Sequence, residues 1–107
     1  MELWTGLAAL KPDPNYKDFQ LFKGRGAYVS VVAWASSRES FEEKVRNIAT
    51  RDLNCMLIEL EGIGLLEERM KTDNFPDELI NMRATAYRQP ADTVFGTFYS
   101  WSQDDAN

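Results

Sequence analysis

The stretch Ala27-Tyr28-Val29-Ser30-Val31-Val32-Ala33-Trp34-Ala35-Ser36-Ser37-Arg38-Glu39-Ser40-Phe41 decides the fold. Its first nine residues are rich in β-branched and aromatic side chains, which suit a pleated surface and read as a strand. Ser36 then sets a hydroxyl three residues before the Glu39 carboxylate, a spacing in which each group satisfies a backbone N–H left orphaned at a helix start. Phe41, Val45, Ile48 and Ala49 follow at helical spacing on one face, with Glu42, Glu43, Arg46 and Arg51 on the solvated one. Asp52 and Asn54 mark the exit. From Cys55 to Glu61 the pattern alternates again and predicts a strand with Met56, Ile58 and Leu60 inward and Glu59 and Glu61 outward.

Toward the N-terminus, Lys23-Gly24-Arg25-Gly26 reads as a turn with a positive tip, and Lys17 to Phe22 fits neither the helical nor the strand period. Lys11-Pro12-Asp13-Pro14-Asn15 combines two prolines with turn-forming residues and is a loop. Glu2 to Leu10 is mostly apolar and reads as an opening strand. Toward the C-terminus, Gly62-Ile63-Gly64 interrupts the strand after Glu61, and Leu65 to Met70 suits either a short strand or a helical turn. Asn74-Phe75-Pro76-Asp77 starts a second helix, with a capping Asn, a proline tolerated in the first turn and acids near the positive helix end. Leu79, Ile80, Arg83, Ala84 and Tyr87 keep helical spacing until Pro90 forbids more. Thr93 to Trp101 is the last strand, and the polar tail Ser102 to Asn107 is expected to fray.

This order predicts one α+β domain over residues 1–107, a two-layer sandwich of a mainly antiparallel sheet with two helices on one face. From Ala27 onward it approximates the ferredoxin-like, split βαβ pattern, with an extra N-terminal strand. Such a fold hosts many unrelated functions, so function has to be argued from particular residues.

Composition narrows the classes. The 107 residues carry a formal charge of −5, and an acidic surface opposes the neutralisation of phosphates, so no nucleic acid is expected as a partner. With no histidine and one cysteine, a Ser-His-Asp triad, a Cys-His pair, an imidazole metal site and an internal disulfide are all excluded. The longest charge-free stretch, Gly26 to Ser37, is far shorter than the roughly 20 apolar residues of a bilayer span. The opening Met-Glu-Leu-Trp has neither the basic region nor the apolar core of a secretion signal. A cytoplasmic location away from membranes is therefore expected, with Cys55 as a small buried hydrophobe.

Three constellations bear on function. Glu59 and Glu61 share a strand face, and a chain reversal at Gly62 would bring Glu67 or Glu68 toward them. Their spacing matches no metal loop, so they read as the solvent-facing half of an amphipathic strand, and neither a metal nor another cofactor is expected. Lys23 and Arg25, with two glycines, have the ingredients of an anion-binding nest but not the spacing of a phosphate loop. The strand aromatics Trp4, Tyr28, Trp34, Phe95, Tyr99 and Trp101 cannot all be hidden by two helices, and an exposed aromatic patch marks a partner or ligand surface.

The resulting expectation is a non-enzymatic, acidic protein-binding module. Its partner-binding residues are Trp4, Tyr28, Trp34, Tyr99, Trp101, Glu59 and Glu61, and its partner is a second copy or a basic protein. An inhibitor or immunity-type antagonist is one concrete version. The alternative is a homodimeric small-molecule-binding protein or small enzyme whose inter-subunit pocket is walled by Tyr28, Trp34, Tyr99 and Trp101, with Lys23 or Arg25 neutralising an anionic ligand. No catalytic residue is assigned in either case.

Overall fold

The computed structural model of the protein describes residues 1–13, 26–71 and 76–101, apart from the Trp101 side chain. The elements run β1 (Glu2–Pro12), β2 (Gly26–Ala35), α1 (Arg38–Arg51), β3 (Cys55–Leu65), α2 (Leu66–Arg69), α3 (Asp77–Arg88), β4 (Val94–Phe95) and β5 (Tyr99–Trp101). The expectations for Lys17 to Phe22, for the turn tip with Lys23 and Arg25, for the Asn74 cap and for the tail fall outside the described residues. The result is an α+β domain with one antiparallel-paired sheet of five strands in the order β3-β1-β2-β4, in which β5 also pairs β2. Central β1 is antiparallel to both β2 and β3, so those two run parallel to each other with β1 between them and α1 as their connection. No helix among the described residues is long and apolar enough to cross a membrane.

Register sorts the side chains, because residues paired across a ladder point to the same side of the sheet. On one side Ala8, Leu10, Val29, Val31, Ala33 and Ala35 pack with Phe41, Val45 and Ala49 of α1. On the other, Leu3 and Val32 pack with Leu66 of α2 and with Met82 and Ala86 of α3. The two long helices therefore cover opposite faces, which corrects the expectation that both lie on one. The cause is legible in Val31-Val32-Ala33-Trp34-Ala35, which is apolar at every position and needs cover on both sides.

The helix starts follow ordinary capping chemistry. The Ser37 side chain accepts a hydrogen bond from the Ser40 N–H at 3.1 Å, so α1 begins one residue later than the Ser36–Glu39 spacing suggests. Helix α3 begins after Pro76 with Asp77 and Glu78 in its first turn, where the helix dipole favours anions.

Strand β3 departs from simple alternation. It continues through Gly62-Ile63-Gly64 to Leu65, and one extra residue enters at each of two register shifts against β1. Ala9 pairs Glu59 while Leu10 pairs Leu57, which leaves Ile58 unpaired as a bulge. The bulge resets the phase, so Cys55, Leu57, Leu60 and Ile63 face the α1 core, whereas Met56 and Ile58 are exposed, Ile58 by 55%. The inward assignment holds for Leu60 and fails for the other two. Leu66–Arg69 takes the helical-turn alternative.

The last strand is broken in two. The Gly96 N–H donates to the Ser30 carbonyl at 2.9 Å, and the Thr97 N–H donates to the Glu78 carboxylate on α3. A Cβ at position 96 would collide with that same carboxylate, so glycine is the residue that permits the junction.

Truncations on the two faces have separate expected costs. Phe41→Ala and Leu66→Ala, both fully buried, should each lower unfolding free energy by about 2–5 kcal/mol in urea titrations. Ile58→Ala should cost less than about 1 kcal/mol. An Ile58 loss as large as that at Leu66 would mean that strict alternation, not the bulge, governs β3.

Candidate functional site

The register of the sheet lays out the face opposite α1 as rows. Glu59, Ala9, Tyr28 and Tyr99 form one row across four strands, and Glu61, Leu7 and Ser30 form the next. Gly64, Thr5, Val32 and Val94 make a third, followed by Leu3 and Trp34. Helices α2 and α3 pack on the Val32 and Leu3 rows. Buried Thr5 fits there because its hydroxyl donates to the Val31 carbonyl at 3.0 Å.

The first two rows lie beyond that cover. Tyr28 is 45% and Tyr99 63% exposed, Leu7 is exposed beside them, and Met56 follows in the Lys11 row. Glu59 and Glu61 are exposed at the β3 end of the same rows. Neither glutamate takes part in an ion pair among the described residues. A half-face of aromatic and aliphatic side chains is thus flanked by two exposed carboxylates that form no ion pair among the described residues.

The residues expected to form the site are divided by the fold. Tyr28, Tyr99, Glu59 and Glu61 come together on the open rows. Trp4 projects to the opposite face, where it packs on the α1 core and its Nε1–H donates to the Ala35 carbonyl at 3.2 Å. Phe95, paired with Val31, also lies on that side and stacks on Phe98 at 6.3 Å. Trp34 shares the face of Tyr28 but lies six residues further along β2, roughly 20 Å away at ~3.3 Å per residue. Its Nε1–H donates to the Ala86 carbonyl of α3 at 3.0 Å. On one protomer's sheet face Tyr28 and Tyr99 therefore stand side by side, with Trp34 far along the same strand. Trp101 pairs Gly26 through its backbone. Its side chain, with Lys23 and Arg25, lies outside the described residues.

The carboxylates after Gly62 do not turn back toward Glu59. Glu67 binds Arg83 at 3.0 Å and Glu68 binds Lys71 at 3.4 Å, and no group of three or more metal-ligating side chains occurs among the described residues. The Glu67 hydrogen bond raises the already high pKa of Arg83, so the guanidinium stays charged.

Residues that pattern reading missed border the open rows. A cavity of about 270 Å³ is lined by Thr5, Leu7, Ser30, Glu61, Arg69 and Leu79. Arg69 reaches it across the glycines of β3 and donates to the Gly62 carbonyl. Gly62 has φ +60°, and a Cβ there would stand 3.0 Å from the guanidinium. Gly62-Ile63-Gly64 was the available signal: it marks a bulged strand over which a long side chain lies flat, not a strand end.

Cys55 is 3% exposed in the α1-side core, and its S–H donates to the Leu53 carbonyl at 3.2 Å. Burial, and secondarily the Asp13 charge, push its pKa up and keep it a neutral thiol. Comparison with known proteins finds no match: no family model, no curated protein and no solved structure corresponds to this chain.

The Cys55 environment carries a pH signature. Its folded-state pKa is raised, so the associated stability is fully present below the thiol's ordinary value near 9 and is lost as pH rises toward the folded value. The unfolding free energy of the wild type relative to Cys55→Ala should therefore fall above about pH 9, and native protein should react slowly with thiol reagents. A difference constant from pH 7 to 10 would contradict the raised pKa.

Proposed function

We propose that this protein is a small, acidic, non-enzymatic binding module that docks a basic protein through the open half of its sheet. The observation that carries this reading is the pair of rows in which exposed Leu7, Tyr28 and Tyr99 adjoin Glu59 and Glu61. Tyrosine offers large contact area with few rotamers to immobilise, and interface hot spots are enriched in it. Exposed carboxylates at the rim favour a cationic partner and accelerate its encounter. The overall charge of −5 acts in the same direction and disfavours nucleic acid.

An inhibitor or immunity-type antagonist of a basic protein is the most specific form of this reading. The unpaired, neutral Cys55 is compatible with a reducing cytoplasm. The parallel β2 and β3, split by β1 and joined through α1, support a ferredoxin-like relationship of the strands.

Affinity capture from a lysate of the source organism, at low and at physiological salt, tests the reading if variants are run beside the wild type. The wild type should retain a basic protein whose association slows with salt. Tyr28→Ala/Tyr99→Ala should lose it by at least about tenfold in affinity, a hot-spot-sized effect. Glu59→Lys/Glu61→Lys should slow the on-rate most at low salt. Retention that is equal for all three proteins would move the partner off this face. A salt-insensitive homodimer in light scattering, with nothing captured, would replace the basic partner by a second copy.

A further inference from the structure

A cavity of about 490 Å³ lies apart from the open rows and shares no residue with them. One wall is Ile48, Asp52 and Leu53 at the end of α1, and the other is Thr85 and Gln89 on α3. Because the two helices cover opposite faces of the sheet, a cavity that touches both lies beyond a sheet edge. That edge is β4, since residues 91–95 form the floor. The fold therefore builds a slot with an edge strand at its base and a helix on each side.

The β4 main chain says what such a slot holds. Phe95 pairs Val31, Val94 pairs Val32, and the Gly96 N–H donates to the Ser30 carbonyl at 2.9 Å. In an antiparallel ladder hydrogen-bonded pairs alternate with non-hydrogen-bonded ones, so a bonded Gly96–Ser30 pair makes Phe95–Val31 a non-bonded one. The Phe95 N–H and C=O consequently point away from β2 into the slot, and they have no hydrogen-bond partner among the described residues. An outward donor and acceptor on an edge strand are what an added strand recognises, and it would lie about 4.8 Å farther out.

The walls specify its side chains, which alternate between the two faces. On the α1 side they meet apolar Ile48, Leu53 and Phe95. On the α3 side they meet Val94 and the polar Thr85 and Gln89. The charged side chains that line the slot are Asp52 and Asp92, and neither carboxylate has a partner among the described residues. The Arg88 guanidinium turns back along α3 to the Thr85 hydroxyl at 3.3 Å.

We infer that the β4 edge binds an extended segment of a partner protein as an added strand, with apolar residues toward α1, hydroxyl or amide side chains toward α3, and a lysine or arginine beside Asp52 or Asp92. Main-chain hydrogen bonds to Phe95 hold the segment, and the two walls select its alternation. The inference does not rest on the open rows.

NMR titration of the isotope-labelled full chain with the capped peptide Lys-Val-Thr-Val-Thr-Lys tests it. The Thr93 and Phe95 amide resonances should shift saturably, and solvent exchange of the Phe95 N–H should slow at least about tenfold at saturation. Peptide N-methylation separates strand addition from simple burial, because an edge bonds only alternate peptide groups. Methylating one alternate set, the valines or the threonines, should abolish binding, and methylating the other should change affinity by less than about threefold. Asp52→Asn/Asp92→Asn should weaken this peptide about fivefold and leave unchanged a version with serines in place of the lysines. Tyr28→Ala/Tyr99→Ala should bind the peptide as the wild type does, which separates this site from the open rows. Circular dichroism verifies that both double variants fold. No saturable shift at Thr93 or Phe95, or equal losses from the two methylated peptides, would overturn the assignment. So would a dimer in which the Phe95 N–H is already protected without peptide, because the edge would then belong to a second copy.

Discussion

A residue advances a strand by ~3.3 Å but a helix by only ~1.5 Å, and the architecture depends on that mismatch. The ten residues of β2 run roughly 33 Å, whereas the twelve of α3 span roughly 18 Å. A single helix of this length therefore covers about half of a sheet face along the strands. On the α1 side Leu53 and Phe98, outside the strands, also pack on the core that Leu57, Leu60, Ile63 and Phe95 of the sheet extend. On the α3 side the helices attend to the Leu3 and Val32 rows, and Tyr28, Tyr99 and Leu7 are left facing solvent. The open rows follow from chain economy as much as from the residues in them.

Much of this was legible in β2 alone. From Val31 to Ala35 every position is apolar, while Tyr28 and Ser30 alternate with Val29 and Val31. The two halves of the strand have different patterns because one is covered on both faces and the other on one. Strand propensity alone does not carry that distinction, and it is the distinction that sends the two helices to opposite faces. The α1 face, by contrast, was readable from spacing, since Phe41, Val45 and Ala49 are fully buried, whereas α3 buries Met82 and Ala86 and leaves Ile80 and Tyr87, two residues of the expected spacing, exposed. The helical period survives tertiary packing better than the strand period does, because one inserted residue inverts a two-residue repeat. That inversion at Ile58 is why Met56 and Ile58 were placed inward.

The candidate site was legible in part for related reasons. Tyr28, Tyr99, Glu59 and Glu61 were identified by residue type and strand parity, and parity within a strand is preserved wherever no bulge intervenes. Trp4 was grouped with them because composition carries no information about which face a strand turns upward, and Trp34 because parity gives the face of a residue but not its row. Only the β1–β2 register, in which Leu3 meets Trp34 and Trp4 meets Ala33, separates the two tryptophans. The Arg69 contact with Gly62 was invisible in the same way, since it depends on a one-turn helix folding back beside the strand that precedes it.

The two irregularities of β3 have a bearing on solubility. Among the described strands β3 lies at one end of the sheet order and is eleven residues long, with apolar Met56 and Ile58 exposed on it. A straight strand of that length and character would present an even row of amide donors and acceptors on which an extended chain could template itself. Extra residues at Ile58 and near Gly62 break that row into short, differently twisted pieces, and Glu59 and Glu61 place like charges along it. The same kinks that defeat pattern reading thereby act as a brake on self-templated fibre growth, which a sticky aromatic surface on the neighbouring rows would otherwise encourage.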